Sequence, residues 1–500
     1  MATAVSPVQL DYRVTEFVTQ TRKMLINGIW VESASGKTFP TYNPATGEVL
    51  TQVAEGDRED INRAVGAARR AFEGPWSKVT PSERGRMIWN LADLLEEHLD
   101  EFAQLETLDN GKPFSVARVA DVPLAVDLLR YMAGWATKIE GSTIPISVPY
   151  APGTRYLAYT VREPVGVVGQ IIPWNFPLLM AVWKLGPALA TGCTVVLKPA
   201  EQTPLSALRL GELLAEADFP DGVVNIVPGY GETAGAALSA HHGVDKIAFT
   251  GSTEVGRLIV QAAAGDLKKV SLELGGKSPN IVFQDADMAT AIPGSANAIF
   301  FNHGQCCCAG SRLFIEEPIF DKVVAGVTEE ASRIKLGSGL DPATTMGPLV
   351  SQAQLDRVCD YLDVGIQEGA KAVVGGHKLR GAGYFVEPTV LVDTRPNMKV
   401  VQEEIFGPVV VAIPFREPEE LVASANDSIY GLAAAVWTRD ISRAHSVASR
   451  LRAGTVWINC FNVFDAALPF GGYKQSGWGR EMGHHVLDLY TEVKAVCTSL

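Results

Sequence analysis

Residues 165–172 read Val-Gly-Val-Val-Gly-Gln-Ile-Ile, a short β-branched run with a proline on either side. Such a run is typical of a buried strand, and it begins an alternation with helical stretches whose spacing indicates βαβ units and a parallel sheet. We predict strands at residues 165–172, 194–198, 223–227, 246–250 and 270–274. Helices are predicted between them at residues 178–190, 204–217, 232–239 and 254–264. The predicted fold class is therefore α/β.

A second α/β series extends from about residue 280 to residue 459, so the sequence indicates two α/β lobes. Its strand-like runs are residues 313–316, 409–413, 433–437 and 456–459. Long amphipathic helices precede the first lobe and are predicted at residues 60–72, 81–98 and 121–136.

Two further segments have the pattern of strands outside the lobes. Residues 144–163 contain the alternating run Tyr156-Leu-Ala-Tyr-Thr-Val161 and indicate an exposed hairpin, and residues 490–497 indicate another strand. Strands of this kind need a partner edge. Either they pair with each other and add to a neighbouring subunit, or they close the lobe; we favour the first interpretation, which predicts a homo-oligomer.

Composition points to a small-molecule ligand. The chain has 500 residues, 47% of them hydrophobic and 20% charged, with a net charge of -13. The acidic balance and scattered basic residues argue against nucleic acid or an anionic membrane as partner. Seven cysteines without a paired spacing, and an N-terminus without a signal layout, predict a reducing, cytoplasmic location.

Residues 164–183 contain no charged residue over 20 positions, about the length that crosses a bilayer. Three prolines in this stretch would break a membrane helix repeatedly. The segment is better interpreted as a strand, a loop and then a helix.

The chemistry of the chain is suggested by three successive cysteines in Phe301-Asn-His-Gly-Gln-Cys-Cys-Cys-Ala-Gly-Ser-Arg312. A thiolate attacks carbonyl carbon and leaves readily from a thioester, so one reactive cysteine suits an acyl-enzyme mechanism. Single cysteines are usually buried filler, and we interpret Cys193, Cys359 and Cys460 in that way.

Two glycine loops compete as a nucleotide-binding turn. Gly229-Tyr-Gly-Glu-Thr-Ala234 fits the G-x-G-x-x-A pattern, whereas Gly251-Ser-Thr-Glu-Val-Gly256 fits only a looser one. An isolated match is as often an ordinary strand-to-helix turn. Lys198 and Glu201 follow a predicted strand and could hold ribose hydroxyls, and the carboxylate would repel a 2′-phosphate, which favours NAD over NADP. A surface ion pair is the alternative.

Over nearly its whole length the chain resembles the aldehyde dehydrogenase superfamily. Seven segments match in order: Pro173-Trp-Asn-Phe-Pro177, Lys198-Pro-Ala-Glu201, Phe249-Thr-Gly-Ser-Thr253, Leu272-Glu-Leu-Gly-Gly-Lys277, Gly304-Gln-Cys-Cys-Cys308, Glu403-Glu-Ile-Phe-Gly-Pro408, and Pro469-Phe-Gly-Gly-Tyr-Lys474 with Ser476-Gly477. The resemblance implies a Rossmann-like NAD-binding domain (1–143 and 164–275), a catalytic domain (276–475) and β oligomerisation strands (144–163 and 486–500), with assembly as a tetramer or dimer of dimers.

The same resemblance implies the catalytic roles. Cys307 resembles the nucleophile that forms a thiohemiacetal and then a thioester. Asn175 resembles the donor that, with the Cys307 backbone N–H, holds the developing oxyanion. Glu273 resembles the general base that activates water for thioester hydrolysis, a role that a raised pKa would suit.

The cofactor contacts implied by the resemblance favour the second glycine loop, and Gly229 becomes a structural turn. The implied cofactor-binding residues are Trp174, Lys198, Glu201, Gly251, Ser252, Gly256, Glu404 and Phe406. No metal is implied, because the histidines show no ligand spacing. Lys184 and Glu481 resemble residues sometimes assigned to a proton relay, and a buried structural ion pair is an equal alternative.

The substrate is predicted to be an aromatic aldehyde. The positions implied to line the substrate tunnel are bulky and apolar: Phe176, Met180, Trp183, Phe464 and Phe470. A weaker resemblance points to bacterial phenylacetaldehyde dehydrogenases. Asp465 beside these rings could instead hold a quaternary ammonium, so betaine aldehyde is the alternative, with aliphatic aldehydes behind it.

Two functions of other classes remain open. Cys307 with His303 could form the dyad of a cysteine amidase or esterase, which would not need NAD. A structural protein could also keep this fold without turnover, although the set Asn175, Glu273 and Cys307 argues against it.

Overall fold

The computed structural model describes residues 7–500 as two α/β lobes, a small three-stranded sheet and a two-stranded sheet. Residues 1–6, on which part of the prediction about targeting rests, lie outside the described residues. The strands are β1 (Met24–Ile26), β2 (Ile29–Val31), β3 (Thr38–Asn43), β4 (Glu48–Ala54), β5 (Thr143–Ile144), β6 (Tyr156–Pro164), β7 (Val167–Ile171), β8 (Thr194–Lys198), β9 (Val224–Ile226), β10 (Lys246–Thr250), β11 (Lys269–Glu273), β12 (Pro279–Val282), β13 (Arg312–Glu316), β14 (Lys371–Val374), β15 (Thr389–Val392), β16 (Val409–Phe415), β17 (Ala433–Trp437), β18 (Thr455–Ile458), β19 (Gly477–Trp478) and β20 (Thr491–Ser499).

The helices connect and cover these strands. They are α1 (Tyr12–Thr19), α2 (Arg58–Glu73), α3 (Pro81–Glu97), α4 (Leu99–Asn110), α5 (Phe114–Val116), α6 (Val122–Trp135), α7 (Pro177–Thr191), α8 (Leu205–Glu216), α9 (Ala236–Ala240), α10 (Thr253–Ala263), α11 (Met288–Phe300), α12 (Phe320–Arg333), α13 (Gln352–Gln367), α14 (Lys399–Gln402), α15 (Pro418–Asn426) and α16 (Ile441–Arg450).

The first sheet has eight strands in the order β19-β11-β10-β7-β8-β9-β1-β2. Its central strands are parallel, and β7, β8 and β10 are fully buried, as continuous apolar runs covered on both faces should be. Successive residues of β7 belong to different hydrophobic clusters: Val167 belongs to a cluster that includes residues of α2 and α10, and Val168 to one that includes residues of α7 and α8. The predicted parallel sheet is therefore confirmed.

The second sheet has seven strands in the order β14-β15-β16-β13-β12-β17-β18. All of its neighbouring pairs are parallel except β14 with β15. The predicted run at 433–437 coincides with β17, and the predicted strands at 313–316, 409–413 and 456–459 overlap β13, β16 and β18. The second α/β lobe is confirmed.

The third sheet joins the two segments that the sequence marks as lone strands, in the order β20-β6-β5. β20 and β6 pair antiparallel over nine residues, from Thr491 opposite Pro164 to Ser499 opposite Tyr156. The prediction that these strands pair with each other is confirmed. Their addition to a neighbouring subunit, and the domain boundaries at residues 143, 163, 275 and 475, stay predictions.

The apolar stretch 164–183 contains β7, a loop and the start of α7, as predicted from its prolines. Pro177 occupies the first turn of α7, where a missing N–H costs nothing, and Gly192 ends the helix in a left-handed conformation. Among residues 7–500, no helix is both long enough and apolar enough to cross a membrane.

Candidate active site

A cavity of about 450 Å³ lies where the two lobes meet, and its lining comes from loops that follow strands of the first sheet together with loops of the second lobe. The loop after β7 contributes Trp174 and Asn175, and the end of β11 contributes Glu273. Cys307 and Glu404 line it from the second lobe. Ligands of open α/β sheets bind beyond the carboxyl ends of the strands, and this cavity has that position.

The three cysteines differ in exposure. Cys306 and Cys308 are buried, their sulfurs lie 3.4 Å apart, and Cys307 between them is only half-buried. All three line the cavity. Because an aldehyde must reach the sulfur that attacks it, exposure favours Cys307 as the reactive thiol.

The three sulfurs influence one another electrostatically. Contact with the sulfur of Cys306, burial and the negative charge of Glu273 raise the pKa of Cys307. Donation from its two neighbours lowers the pKa of Cys306. Cys307 is therefore a protonated thiol at rest, and a base must remove its proton before it becomes a nucleophile.

Asn175 is buried beside the cysteine loop, and its Nδ2 donates a hydrogen bond of 3.0 Å to the Gln305 carbonyl. An amide NH₂ carries two hydrogens, so one N–H remains after this bond. Since Asn175 also lines the cavity, that second N–H is available to an oxygen bound there.

Glu273 is buried at the end of β11, and neither of its carboxyl oxygens has a hydrogen-bond partner among the described residues. Burial and the negative charge of Glu481 raise the pKa of Glu273 to about 8. A buried carboxyl without fixed partners and with a pKa near neutrality suits a group that takes up and releases protons.

Glu404 lines the same cavity but is held in place. Its Oε1 accepts a 2.9 Å hydrogen bond from the Gly276 N–H, and burial raises its pKa to about 7. Arg357 donates to the Glu404 carbonyl at 2.7 Å, and Gln354 donates to the Phe406 carbonyl at 2.7 Å. The loop that carries Glu404 and Phe406 is thus fixed by side chains of α13.

The second glycine loop reaches the cavity and the first does not. Gly251 and Ser252 line it at the start of α10, and the Ser252 side chain caps that helix by accepting from the Val255 N–H. Gly229, in contrast, packs in a turn where an added Cβ would lie 2.5 Å from the Gly56 carbonyl oxygen. The structural interpretation of Gly229 fits this packing.

Gly256, a predicted cofactor contact, does not line the cavity, and its part in cofactor binding stays a prediction. It lies within α10, where a Cβ would approach a methyl group of Leu274 to 2.8 Å. Its role in the structure is to let the helix pack closely on the end of β11.

Lys198 and Glu201 lie at the carboxyl end of β8 and form an ion pair of 3.0 Å, and neither lines the cavity itself. Lys198 lies opposite Ile171 in the pairing of β8 with β7. Lys198 and Ile171 therefore both lie at the carboxyl end of the sheet, where the loop that carries Trp174 begins. Gln202 donates to the second oxygen of Glu201. The Lys198–Glu201 pair is thus beside the cavity, at the same carboxyl end of the sheet.

Five predicted substrate residues form an apolar wall of the cavity. The ring centroids of Trp183 lie 6.3 Å from Phe464 and 5.6 Å from Phe470, and those of Phe464 and Phe470 lie 5.6 Å apart. Phe176 stacks on Phe301 at 6.2 Å. Met180 also lines the cavity, so the predicted apolar set is brought together.

Asp465 is the exception in the predicted substrate set. Its side chain is exposed, does not line the cavity, and accepts a 2.8 Å hydrogen bond from the Ala467 N–H within a turn. Phe464, its neighbour in sequence, does line the cavity, so adjacency in sequence does not place Asp465 there. The structure therefore does not bring Asp465 together with the other five predicted substrate residues, and its role toward the substrate stays a prediction.

His303 does not form a dyad with a thiol. Within residues 7–500, its ring nitrogen Nδ1 has Gln305 as its partner, at 3.1 Å. Burial and the positive charge of Lys112 lower the pKa of His303 to about 3. The neutral imidazole is a packed structural group, and the geometry does not support a cysteine amidase or esterase.

Lys184 and Glu481 form the buried ion pair that the sequence left as one of two alternatives, with 2.5 Å between Lys184 Nζ and Glu481 Oε1. Both charges of the pair act on the site, in opposite directions: Glu481 raises the pKa of Glu273 and Lys184 lowers it. Among residues 7–500, no three or more histidine, cysteine or acidic side chains are placed together so that they could bind a metal ion.

Sequence reasoning missed several residues of the cavity. Phe301 begins the segment that contains the three cysteines, and its place in that segment could have predicted it. Asp121, paired in the interior with Lys112, and Arg357 come from distant helices without a local motif, so no signal in the sequence placed them there. The remaining missed positions include Ala120, Leu124, Leu179, Thr250, Asn297, Gln354 and Asn462.

Comparison with known proteins agrees with this geometry. The model of the aldehyde dehydrogenase family matches residues 30–496. Human mitochondrial aldehyde dehydrogenase is 54% identical over 477 residues, which is 95% of this chain and 91% of the human protein.

Solved structures are equally similar. The NAD⁺ complex of an aldehyde dehydrogenase from Bacillus cereus superimposes with a TM-score of 0.97 at 55% identity, covering 99% of this chain and 100% of that one. A point mutant of betaine aldehyde dehydrogenase from Staphylococcus aureus gives a TM-score of 0.94 at 44% identity, covering 97% of each chain. With a half-buried thiol, an amide donor and an unpaired carboxyl around one cavity, the chain belongs to the aldehyde dehydrogenase family and is an NAD-dependent aldehyde dehydrogenase.

Proposed function

We propose that Cys307 is the nucleophile of aldehyde oxidation, Asn175 its oxyanion donor and Glu273 its general base. The observation that carries this proposal is that the three side chains line one cavity, in which Glu273 has no competing hydrogen-bond partner. Each also has the state its role requires: a half-buried sulfur, a spare amide N–H and a carboxyl with a pKa of about 8.

The first step is addition of sulfur to the aldehyde carbon. The Cys307 thiol loses its proton to solvent water, the thiolate forms the S–C bond, and the carbonyl oxygen becomes an oxyanion. The second N–H of Asn175 and the backbone N–H of Cys307 donate to that oxygen. Preorganised donors of this type are worth about 10²–10³ in rate.

The cofactor site is proposed from the donor groups beside the cavity. Glu404 and the Lys198–Glu201 pair supply carboxylates for ribose hydroxyls, and the N-terminus of α10 at Ser252 supplies N–H groups for a pyrophosphate. Gly275 leaves room for this arrangement, because a Cβ there would lie 2.2 Å from Glu404 Oε2. When bound, NAD accepts the hydride that the thiohemiacetal carbon loses as the thioester forms.

The last step releases the acid. Glu273 takes a proton from water, the resulting hydroxide attacks the thioester carbonyl, and the S–C bond breaks to return Cys307 as the leaving group. Asn175 stabilises this second oxyanion as it did the first. Glu273 then gives that proton to the Cys307 thiolate, which restores the resting thiol.

We propose an aromatic aldehyde of the phenylacetaldehyde type as the substrate. The packed rings of Trp183, Phe464 and Phe470 support it, since they offer an apolar surface to a flat apolar group. A cationic substrate has less support, because Asp465 lies outside the cavity.

An aldehyde panel tests the cofactor and substrate together. Phenylacetaldehyde, hexanal and betaine aldehyde are compared by reduced-cofactor absorbance, with NAD and NADP in parallel. The proposal expects the highest kcat/KM with phenylacetaldehyde and NAD. A preference for betaine aldehyde would reject the aromatic substrate and keep the mechanism, whereas no reduction of NAD with any aldehyde would reject both.

We also propose a homo-oligomer, tetrameric or a dimer of dimers, in the cytoplasm. The outer face of β20 supports assembly, because nearly all of its residues are exposed on a strand that an additional subunit could cover. Seven free cysteines support a reducing compartment. Light scattering on the purified chain tests the oligomer, and a monomer would reject it.

A further inference from the structure

Asn302 links the loop of the oxyanion donor to the loop of the nucleophile. Its Nδ2 donates to the Asn175 carbonyl at 3.1 Å and to the Gln305 carbonyl at 3.0 Å. Gln305 directly precedes the three cysteines, and its carbonyl also accepts from the Asn175 side chain. One buried amide therefore holds together the two backbone segments that carry the catalytic groups.

The orientation of the Asn302 amide follows from its surroundings. Both nearby acceptors are carbonyl oxygens, so only the NH₂ end can face them, and its two hydrogens match the two acceptors. The opposite end, Oδ1, is buried and has no hydrogen-bond partner within residues 7–500. A buried acceptor left unpaired costs free energy, so the link is kept at some expense of stability.

The backbone at this point is also unusual. Asn302 (φ 49°), His303 (φ 61°) and Gly304 (φ 68°) are three successive residues in the left-handed conformation. Left-handed residues other than glycine cost about 1–2 kcal/mol each and persist where surrounding contacts hold them. At Gly304 a Cβ would overlap the Gly407 carbonyl, so this turn is fixed from outside as well.

We propose that Asn302 is a positioning residue that sets the Asn175 amide and the cysteine loop in register for oxyanion formation. The inference rests on the proposed roles of Asn175 and Cys307. Asn302 itself touches neither the substrate nor the reacting sulfur. It acts by fixing the peptides on either side of the position where the oxyanion forms.

Two other donors to the Asn175 carbonyl define what is particular to Asn302. Lys112 Nζ lies at 3.3 Å and Asn110 Nδ2 at 3.4 Å from that oxygen. Asn110 donates also to the Trp174 carbonyl, at 2.8 Å. Neither bonds to Gln305, so both hold only the Asn175 side, and Asn302 alone of these three donors spans both loops.

The test uses Asn302→Gly in the full chain, since glycine adopts the left-handed conformation freely and removes only the amide. Asn110→Ala is the matched control, because it removes a donor to the same carbonyl and leaves the cysteine loop alone. Asn302→Asp is the second variant, in which an acceptor of equal size faces the two carbonyls. Acylation is read from the first turnover of NADH and from NAD-free hydrolysis of a p-nitrophenyl ester, and folding from Tm.

Asn302→Gly should slow both acylation reactions by roughly 10- to 100-fold, short of the loss of an oxyanion donor itself. The KM for NAD should stay within about twofold and Tm should change little, while Asn110→Ala loses less activity and Asn302→Asp more. In an Asn175→Ala background, Asn302→Gly should have little further effect, because both changes remove the same stabilisation.

The inference is overturned if Asn302→Gly acylates within about threefold of the unmodified enzyme, or if its loss is equally large without the Asn175 amide. The proposed function fails by a different result. In that case the unmodified enzyme forms no NADH, or Asn175→Ala alone has full activity.

Discussion

Glu273 and Glu404 line the same cavity, but Glu273 is buried, Glu404 is half-buried, and their surroundings differ. Glu404 has an oxygen fixed by the Gly276 N–H and its loop fixed by Arg357 and Gln354, and its pKa is raised to about 7. Glu273 has two unpaired oxygens and a pKa raised to about 8. A fixed carboxylate suits the binding of a ligand, whereas a carboxyl without partners suits proton transfer.

The contrast between Glu273 and Glu404 assumes that both carboxyls act in a reaction at Cys307. Replacement of Cys307 tests that assumption and should have the largest effect. Cys307→Ala should lower aldehyde oxidation by about 10⁴-fold or more, because no other group supplies the covalent step. Steady-state NADH formation measures it. Cys308→Ala, which removes a fully buried sulfur, is the control and should stay active. Retained oxidation in Cys307→Ala would place the nucleophile elsewhere.

Glu273→Gln should lower kcat by roughly 10²–10³-fold, since the amide has the size of the carboxyl but cannot take a proton from water. Rapid-quench kinetics should show that hydrolysis of the thioester becomes the slow step. Equal kcat in the variant and the unmodified enzyme would remove Glu273 from the role of base and end the contrast with Glu404.

The pH profile sharpens the same contrast. A base with a pKa of about 8 is ionised above that pH and protonated below it. We therefore expect kcat to fall about tenfold for each pH unit below about 8 and to level off above it. This fall in kcat at low pH should disappear in Glu273→Gln and persist in Glu404→Gln. A profile that is flat between pH 6 and 9 in the unmodified enzyme would contradict the raised pKa.

Glu404→Gln should have the smallest effect, and chiefly on the cofactor. Loss of one charged hydrogen-bond acceptor should raise the KM for NAD by about tenfold while kcat changes less. Titration of NAD, followed by quenching of protein fluorescence, measures the affinity directly. If kcat instead falls as far as in Glu273→Gln, the division of roles between the two carboxylates is wrong.

The sequence predicted those elements whose own residues determine them. The strands at 194–198, 246–250 and 433–437 coincide with β8, β10 and β17. Each is a short, largely apolar run, and every residue of it is buried. The short strands β1 and β2 were not predicted. β1 joins the first sheet only through a distant partner, with Leu25 opposite Ile226, and that pairing has no local pattern.

The site shows the same division. Cys307, Asn175, Glu273 and Glu404 stand in recognisable motifs, and the structure brings them to one cavity. Asp465 does not join them, because its carboxylate accepts a hydrogen bond within a turn while the neighbouring Phe464 lines the cavity. The link made by Asn302 could not be predicted, since it depends on two carbonyl oxygens that only the folded chain brings within reach of one amide.

The most direct test of the mechanism is to trap its covalent intermediate. Glu273→Gln is mixed with phenylacetaldehyde and NAD, quenched in acid, digested and mapped by mass spectrometry; the same mixture without NAD is the control. The mechanism predicts one acyl group on Cys307, formed with one NADH per labelled site and absent from the control. NADH formation with the label on Cys306 or Cys308, or with no labelled cysteine, would contradict it.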